Sequence, residues 1–361
     1  MRAPVLHRAN EPMTMEEIDL EEPREHEVLV RMAASGVCHS CLHVIDGTWT
    51  GMPLPMVLGD EGAGVVERVG PGVTTLPPGD PVTISWAPTC GRCRYCVTGR
   101  LVLCEDQPKI GVLYDGTVRM RLNGQDVYHY GPATYAPRMV VPEVCAIKIR
   151  EEMPLDKAAL IGCSLMTGLG AVVNTARVPA GASLAVFGCG GVGLNAVQGG
   201  AICGAYPVIA VDVVAIKLEF ARAMGATHTI NSAQQDPAAA IKEITRRGVE
   251  YAVVAVGNTK VVTQAWAALA PGGTCVMLGG PPMGELLAID PWRLFGSELK
   301  LVGSRYGSSR PSDDFPRLVD MYLAGKLKID QLITRTYPLE EANEAHHALA
   351  AGENARAIFV F

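Results

Sequence analysis

The sequence is poor in charge and shows no excess of positive charge. Asp, Glu, Lys and Arg make up 19% of the 361 residues, while 48% are hydrophobic. That balance excludes a disordered or solvating chain. With 31 basic against 37 acidic residues the net charge is −6, which argues against a nucleic-acid-binding face. The first residues, M-R-A-P-V-L-H-R-A-N-E-P, contain no apolar run and no cleavage pattern, so no signal peptide is expected. Repeats and low-complexity linkers are also missing. One stretch, 178–211, lacks any charged residue and is long enough to imitate a membrane span. Its eight glycines and two prolines break it into short runs, so a buried strand–turn–helix–strand is expected there instead. Two domains suit the length.

Glycine and cysteine, by contrast, are plentiful. The 39 glycines are about 11% of the chain, against a usual level of about 7%. Eleven cysteines is an odd count, and four of them crowd into 90–104. A disulfide scaffold would be shorter and evenly paired, so metal-bound thiolates in a reducing cytoplasm are expected.

Up to about residue 141 the chain reads as short strands separated by turns, the spacing of a β-barrel-like domain. From about Ser183 strands alternate with helices, which means βαβ units on a doubly wound parallel sheet. A helix over 315–324, another over 339–351 and a closing strand A-R-A-I-F-V-F bring the C-terminus back to the first domain. The fold class is α/β, with a β-rich domain at 1–165 and 304–361 and a dinucleotide-binding domain at 166–303.

Cys90, Cys93 and Cys96, then Cys104 after seven intervening residues, can close a tetrahedron around zinc with no position left for water. Such a site stabilises a lobe and performs no reaction. Gly188, Gly190, Gly191, Val192 and Gly193 form the G-x-G-G-V-G turn between a strand and a helix, and Asp212 ends the next strand. This context fits a dinucleotide whose pyrophosphate meets the helix N-terminus. Asp212 would take the ribose hydroxyls and repel a 2′-phosphate, favouring NAD(H) over NADP(H).

These motifs, together with Cys38 in G-V-C-H-S, Asp60-Glu61 in L-G-D-E-G-A-G and Cys163 in I-G-C-S-L-M-T-G, resemble the zinc-dependent alcohol dehydrogenases of the medium-chain dehydrogenase/reductase superfamily. The likeness runs nearly end to end. Y-D-G-T-V-R, Y-H-Y-G-P-A-T-Y-A-P and V-A-V-G-N further resemble the branch holding the liver-type and thiol-dependent formaldehyde enzymes. The resemblance implies a GroES-like catalytic domain beside a Rossmann coenzyme domain. It implies Cys38 and Cys163 as thiolate ligands of a catalytic zinc, with Ser40 and His43 as a proton relay. It also implies Thr167 and Val192 against the nicotinamide, Lys217 at the adenosine ribose and Arg356 at the pyrophosphate. His39 stands where many relatives carry an arginine against the phosphates. Trp86, with Ser40, and Leu278 are candidates for the pocket walls, Leu278 on the cofactor side.

One position departs from the family. Relatives have Gly-His-Glu where this chain has Gly59-Asp60-Glu61. Two thiolates and a carboxylate would leave a divalent ion at net −1, a weaker Lewis acid. Three readings follow: Asp60 ligates zinc directly with Glu61 behind it, the site is metal-poor, or the chemistry has left alcohols. The leading expectation is NAD-dependent interconversion of a primary or aromatic alcohol and its aldehyde, by a homodimer or homotetramer with one structural and one catalytic zinc. The alternative is an NAD(P)H-dependent reductase of activated C=C or C=N bonds. Thr50 and Met52 stand where the glutathione-dependent branch carries two acidic residues, which counts against glutathione and leaves another thiol carrier open. Cys41, Cys145, Cys189, Cys203 and Cys275 are expected in the core. His346-His347 is expected on a solvated helix face, and His129 in a structural role.

Overall fold

The computed structural model describes residues 1–361, which divide into two compact units. The first comprises 1–163 and 310–361, the second 164–309. The junctions expected after 165 and 303 therefore fall after 163 and 309. Cys163 stays with the first unit because its sulfur belongs to a cluster there. Residues 306–308 stay with the second because Gly307 packs directly on Gly170.

In the first unit the strand Glu27–Gly36 is the hub. It pairs antiparallel with Gly62–Val69, Arg138–Pro142 and the C-terminal strand Arg356–Val360. Its alternation places Val28, Val30 and Met32 in one core with Val66, Val82, Ile84, Met139 and Val141. A second sheet runs Thr14–Glu17, Arg2–Leu6, Met56–Val57, Gln125–His129, Met120–Leu122, Asp19–Leu20. Behind it a larger core gathers Leu6, Met56, Leu58, Tyr135 and Phe359 around Cys38, Cys41 and Cys163. The helices His39–Ile45 and Ala342–Ala351 pack on each other at this core.

The second unit is a six-stranded parallel sheet. Its strands are Leu184–Phe187, Val208–Asp212, His228–Asn231, Val249–Val254, Leu269–Met277 and Lys300–Gly303. Numbered along the chain, they lie in the order 3-2-1-4-5-6, the doubly wound arrangement with its switch point beside the first strand. The central strands are buried on both faces and read as continuous apolar runs. The uncharged stretch 178–211 resolves into strand, turn, the helix Gly191–Cys203 and strand. No single helix is long and apolar enough to cross a membrane.

Candidate metal and coenzyme sites

Three chain segments far apart in sequence converge in the first unit. Cys38 follows the hub strand and starts the helix His39–Ile45. Asp60 and Glu61 precede the strand Gly62–Val69. Cys163 ends the turn Ala159–Gly162. The join depends on Gly36, whose N–H donates to the Glu61 carbonyl at 2.8 Å; a Cβ there would collide with the Glu61 carboxylate. Cys38, Asp60 and Cys163 are all buried, and their donor atoms lie within 4.8 Å of one another.

The spacing is that of a tetrahedron. Zinc bonds of about 2.3 Å to sulfur and about 2.1 Å to oxygen imply edges of about 3.8 Å between sulfurs and about 3.6 Å from sulfur to oxygen. Here Cys38 Sγ and Cys163 Sγ are 3.9 Å apart, and Cys163 Sγ is 3.5 Å from Asp60 Oδ2. Electrostatics agrees. The Cys38 thiol is held below its ordinary value, first by the hydrogen bond from Cys163. Cys163 is pushed well up by that same bond, by burial and by the Asp60 charge. Three acidic donors in one buried cluster can all ionise only around a cation, so the residues present fit a zinc ion with a fourth position left open.

Ser40 borders this cluster. Its hydroxyl donates to Asp60 Oδ2 at 2.7 Å and lies 3.0 Å from Cys38 Sγ. His43, one turn on, is half-buried, and burial lowers its pKa. Its ring meets those of His39 at 4.9 Å and Trp49 at 5.0 Å. Trp86 is partly buried against the same core. Glu61 is fully buried and ion-paired with Arg356, itself 4% exposed. Arg356, which the resemblance implies at the pyrophosphate, is here paired with Glu61. The physical reason is that a buried carboxylate needs a cation, and the first residue of the C-terminal strand brings one.

The structure also adds residues that sequence reasoning missed. Cys41, expected as inert core, lies 3.9 Å from Asp60 Oδ1. The Cys38-x-x-Cys41 spacing was the available signal, since it sets the second thiol in the first turn of the helix that Cys38 caps. Burial, then the Asp60 charge, pushes the Tyr130 phenol well above its ordinary value. Tyr135 Oη accepts from the Cys38 N–H at 3.4 Å. His346 corrects another expectation: it is 2% exposed, because its helix packs against His39–Ile45 and its ring faces Tyr135. Burial pushes its pKa down to about 3. His129 is buried and bonded through Nδ1 to the Gly131 carbonyl at 2.6 Å.

The four-cysteine loop forms a second cluster, its sulfurs again within 4.8 Å of one another. Backbone N–H groups of Cys90, Cys93 and Cys96 point at the sulfurs of Cys104, Cys90 and Cys93. Backbone N–H bonds from Glu105 and Cys96 bring Cys93 down to about 7, and burial raises Cys96 to about 12. The set suits a closed zinc site.

In the second unit Gly188, Gly190 and Gly191 join the strand Leu184–Phe187 to the helix Gly191–Cys203. Gly193 must be glycine, since a Cβ would strike the Gly188 carbonyl. Asp212 Oδ2 accepts the Cys189 N–H at 2.7 Å and Oδ1 the Val214 N–H at 2.9 Å. The loop therefore fixes the carboxylate at the end of its strand. Lys217 lies in the following helix Ala215–Met224. Thr167, Val192 and Leu278 are partly buried in this unit.

Comparison with known proteins agrees with both halves. Residues 24–151 match the alcohol dehydrogenase GroES-like domain, and 191–324 match the zinc-binding dehydrogenase domain. The NDMA-dependent alcohol dehydrogenase of Amycolatopsis methanolica is 41% identical over 99% of this chain and 98% of its own. The class-3 alcohol dehydrogenase of Cereibacter sphaeroides is 37% identical over 100% and 99%. Among solved structures, benzyl alcohol dehydrogenase from Acinetobacter calcoaceticus superposes with a TM-score of 0.95 at 33% identity, covering 100% of this chain and 99% of that one. With its two thiolate clusters and its doubly wound sheet, the chain belongs to the family of zinc-dependent alcohol dehydrogenases.

Proposed function

We propose that the chain oxidises a primary or aromatic alcohol to the aldehyde, and runs the reverse reaction, with NAD(H) as its redox partner. The observation that carries this reading is the set of Cys38, Asp60 and Cys163 donors at tetrahedral spacing, with the Ser40 hydroxyl on two of them. Zinc held there would polarise the substrate oxygen and lower the pKa of a bound alcohol. A bound nicotinamide would accept the hydride.

The chain's own residues do the rest. Cys38, Cys163 and Asp60 would hold the ion, and three donors would leave room for the substrate oxygen. Ser40, half-buried beside the cluster, would accept the substrate hydroxyl proton and pass its own to solvent through the neighbouring His43. Partial burial lowers the pKa of His43 and favours its neutral ring, which could accept a proton on the way to solvent. The N-terminal turn of the helix Gly191–Cys203 would offer its N–H groups to the pyrophosphate. Asp212, already oriented by Cys189 and Val214, would bind the ribose hydroxyls and exclude a 2′-phosphate. Trp86, and Trp49 and Tyr130 with their rings 6.5 Å apart, offer apolar faces that favour an aromatic or medium-sized substrate. Lys217, Thr167, Val192, Leu278 and His39 keep their cofactor roles in this reading. Arg356 contributes chiefly through Glu61.

A homo-oligomer is part of the same proposal. The edge strand Lys300–Gly303 has one unpaired side, and Leu286, Trp292 and Phe295, earlier in the chain, are 90%, 76% and 77% exposed. The eleven free thiols suit a reducing cytoplasm.

The test is an alcohol and aldehyde screen with NAD⁺ or NADH, run beside a zinc count. NDMA, named in one relative, is included as an alternative acceptor. Two zincs per chain and NAD-linked turnover of benzylic or primary alcohols support the proposal. One zinc, with reduction of enals and no alcohol turnover, would place the chain among C=C reductases instead.

A further inference from the structure

Asp60 is a flexible donor in a place where its family carries a rigid ring, so something must fix which of its oxygens faces the metal. Oδ2 lies on the cluster, 3.5 Å from Cys163 Sγ, and receives the Ser40 hydroxyl. Oδ1 points the other way, to Cys41 Sγ at 3.9 Å. Cys41 sits one helical turn after Cys38 and is fully buried. It is not one of the three clustered donors. The directions are consistent: the Cys41 S–H donates to Asp60, while the Tyr135 oxygen accepts from Cys38 N–H. Tyr135 is itself clamped, fully buried with its ring 4.9 Å from Phe359 and 5.7 Å from His346.

We propose that Cys41 is a positioning residue for the metal centre: its thiol occupies Asp60 Oδ1, so that the carboxylate binds through Oδ2 alone and the fourth position stays open for substrate. Without that donor the carboxylate can turn or chelate with both oxygens, closing the open position or losing the ion. Outer-shell donors of this kind typically change metal affinity by about 10- to 100-fold when removed. The proposal rests on the metal-centre reading above, and the experiment separates the two.

The full-length enzyme is loaded with zinc, and release to a chromogenic chelator is followed for wild type, Cys41→Val and Cys41→Ser. The four-cysteine zinc is the internal reference. The expected result is a second zinc released about 10- to 100-fold faster from Cys41→Val, with the reference phase unmoved. Cys41→Ser, whose hydroxyl can still donate, stays near wild type. Cobalt in place of zinc should show altered ligand-field bands in Cys41→Val and near-native bands in Cys41→Ser. If Cys41→Val does not fold, Cys41→Ala carries the same comparison. Equal release rates and equal cobalt bands in wild type and Cys41→Val would overturn the proposal, as would a Cys41→Ser variant as leaky as Cys41→Val. A wild-type enzyme that holds only the reference zinc would instead overturn the metal-centre reading, and this proposal with it.

Discussion

Arg356 and Glu61 form an ion pair with both side chains inside the core, at 4% and 0% exposure. Removing one partner leaves a buried charge unopposed, which typically costs about 3–5 kcal/mol. Arg356→Met should therefore lower unfolding stability by about that much in urea titration. Adding Glu61→Gln to it should restore most of the loss. A neutral Arg356→Met would show that the pair does not persist in solution.

Asp60→His replaces an anionic ligand by a neutral one and returns the centre from net −1 to zero. The ion then becomes a stronger Lewis acid. Alcohol oxidation near pH 7 should rise, and the pH optimum of kcat/KM should move down by on the order of one unit. A profile unchanged in height and position would remove Asp60 from the metal's ligands.

Asp212 is fixed by two backbone N–H groups, so Asp212→Asn keeps the shape and removes the charge. NADH binding should weaken on the order of tenfold, the scale of a lost charged hydrogen bond. The gap between NADH and NADPH should narrow at the same time. Calorimetric titration with both nucleotides measures this, and an unaltered NADPH affinity would contradict the role given to Asp212.

His346 makes stability depend on pH. Unfolded, it titrates at about 6.5; folded, burial holds it near 3. Between those values the unfolded chain carries the extra proton, so the stability that neutral His346 provides is complete above about pH 6.5 and is lost as pH falls. The slope is at most about 1.4 kcal/mol per pH unit. His346→Leu should lose less stability than wild type between pH 6.5 and 5 in urea titration. Parallel losses would mean that His346 is hydrated in solution.

The parts of this protein that could be read from its sequence are those governed by local rules. The four-cysteine loop, the glycine turn and the alternation of strands and helices each sit within a few dozen residues, and the structure places them as expected. Cys38, Asp60 and Cys163 were recognised only through a family pattern, since nothing local links a strand end, a β-turn and a helical turn. The partner of Arg356 was missed for the same reason: a family role at the cofactor gave no hint of a carboxylate across the sheet. His346 looked solvated because two adjacent histidines read as polar, yet the contact between two helices at opposite ends of the chain buries it. Cys41 looked inert because an apolar neighbourhood conceals its contact with Asp60.

The central claim is that Cys38, Asp60 and Cys163 together hold a metal ion. Anomalous diffraction at the zinc edge from crystals of the purified chain tests it directly. Two peaks per chain are predicted, one inside the four-cysteine loop and one bonded to Cys38 Sγ, Cys163 Sγ and Asp60 Oδ2. A single peak in the loop, with the Cys163 side chain rotated away from Cys38, would contradict the account.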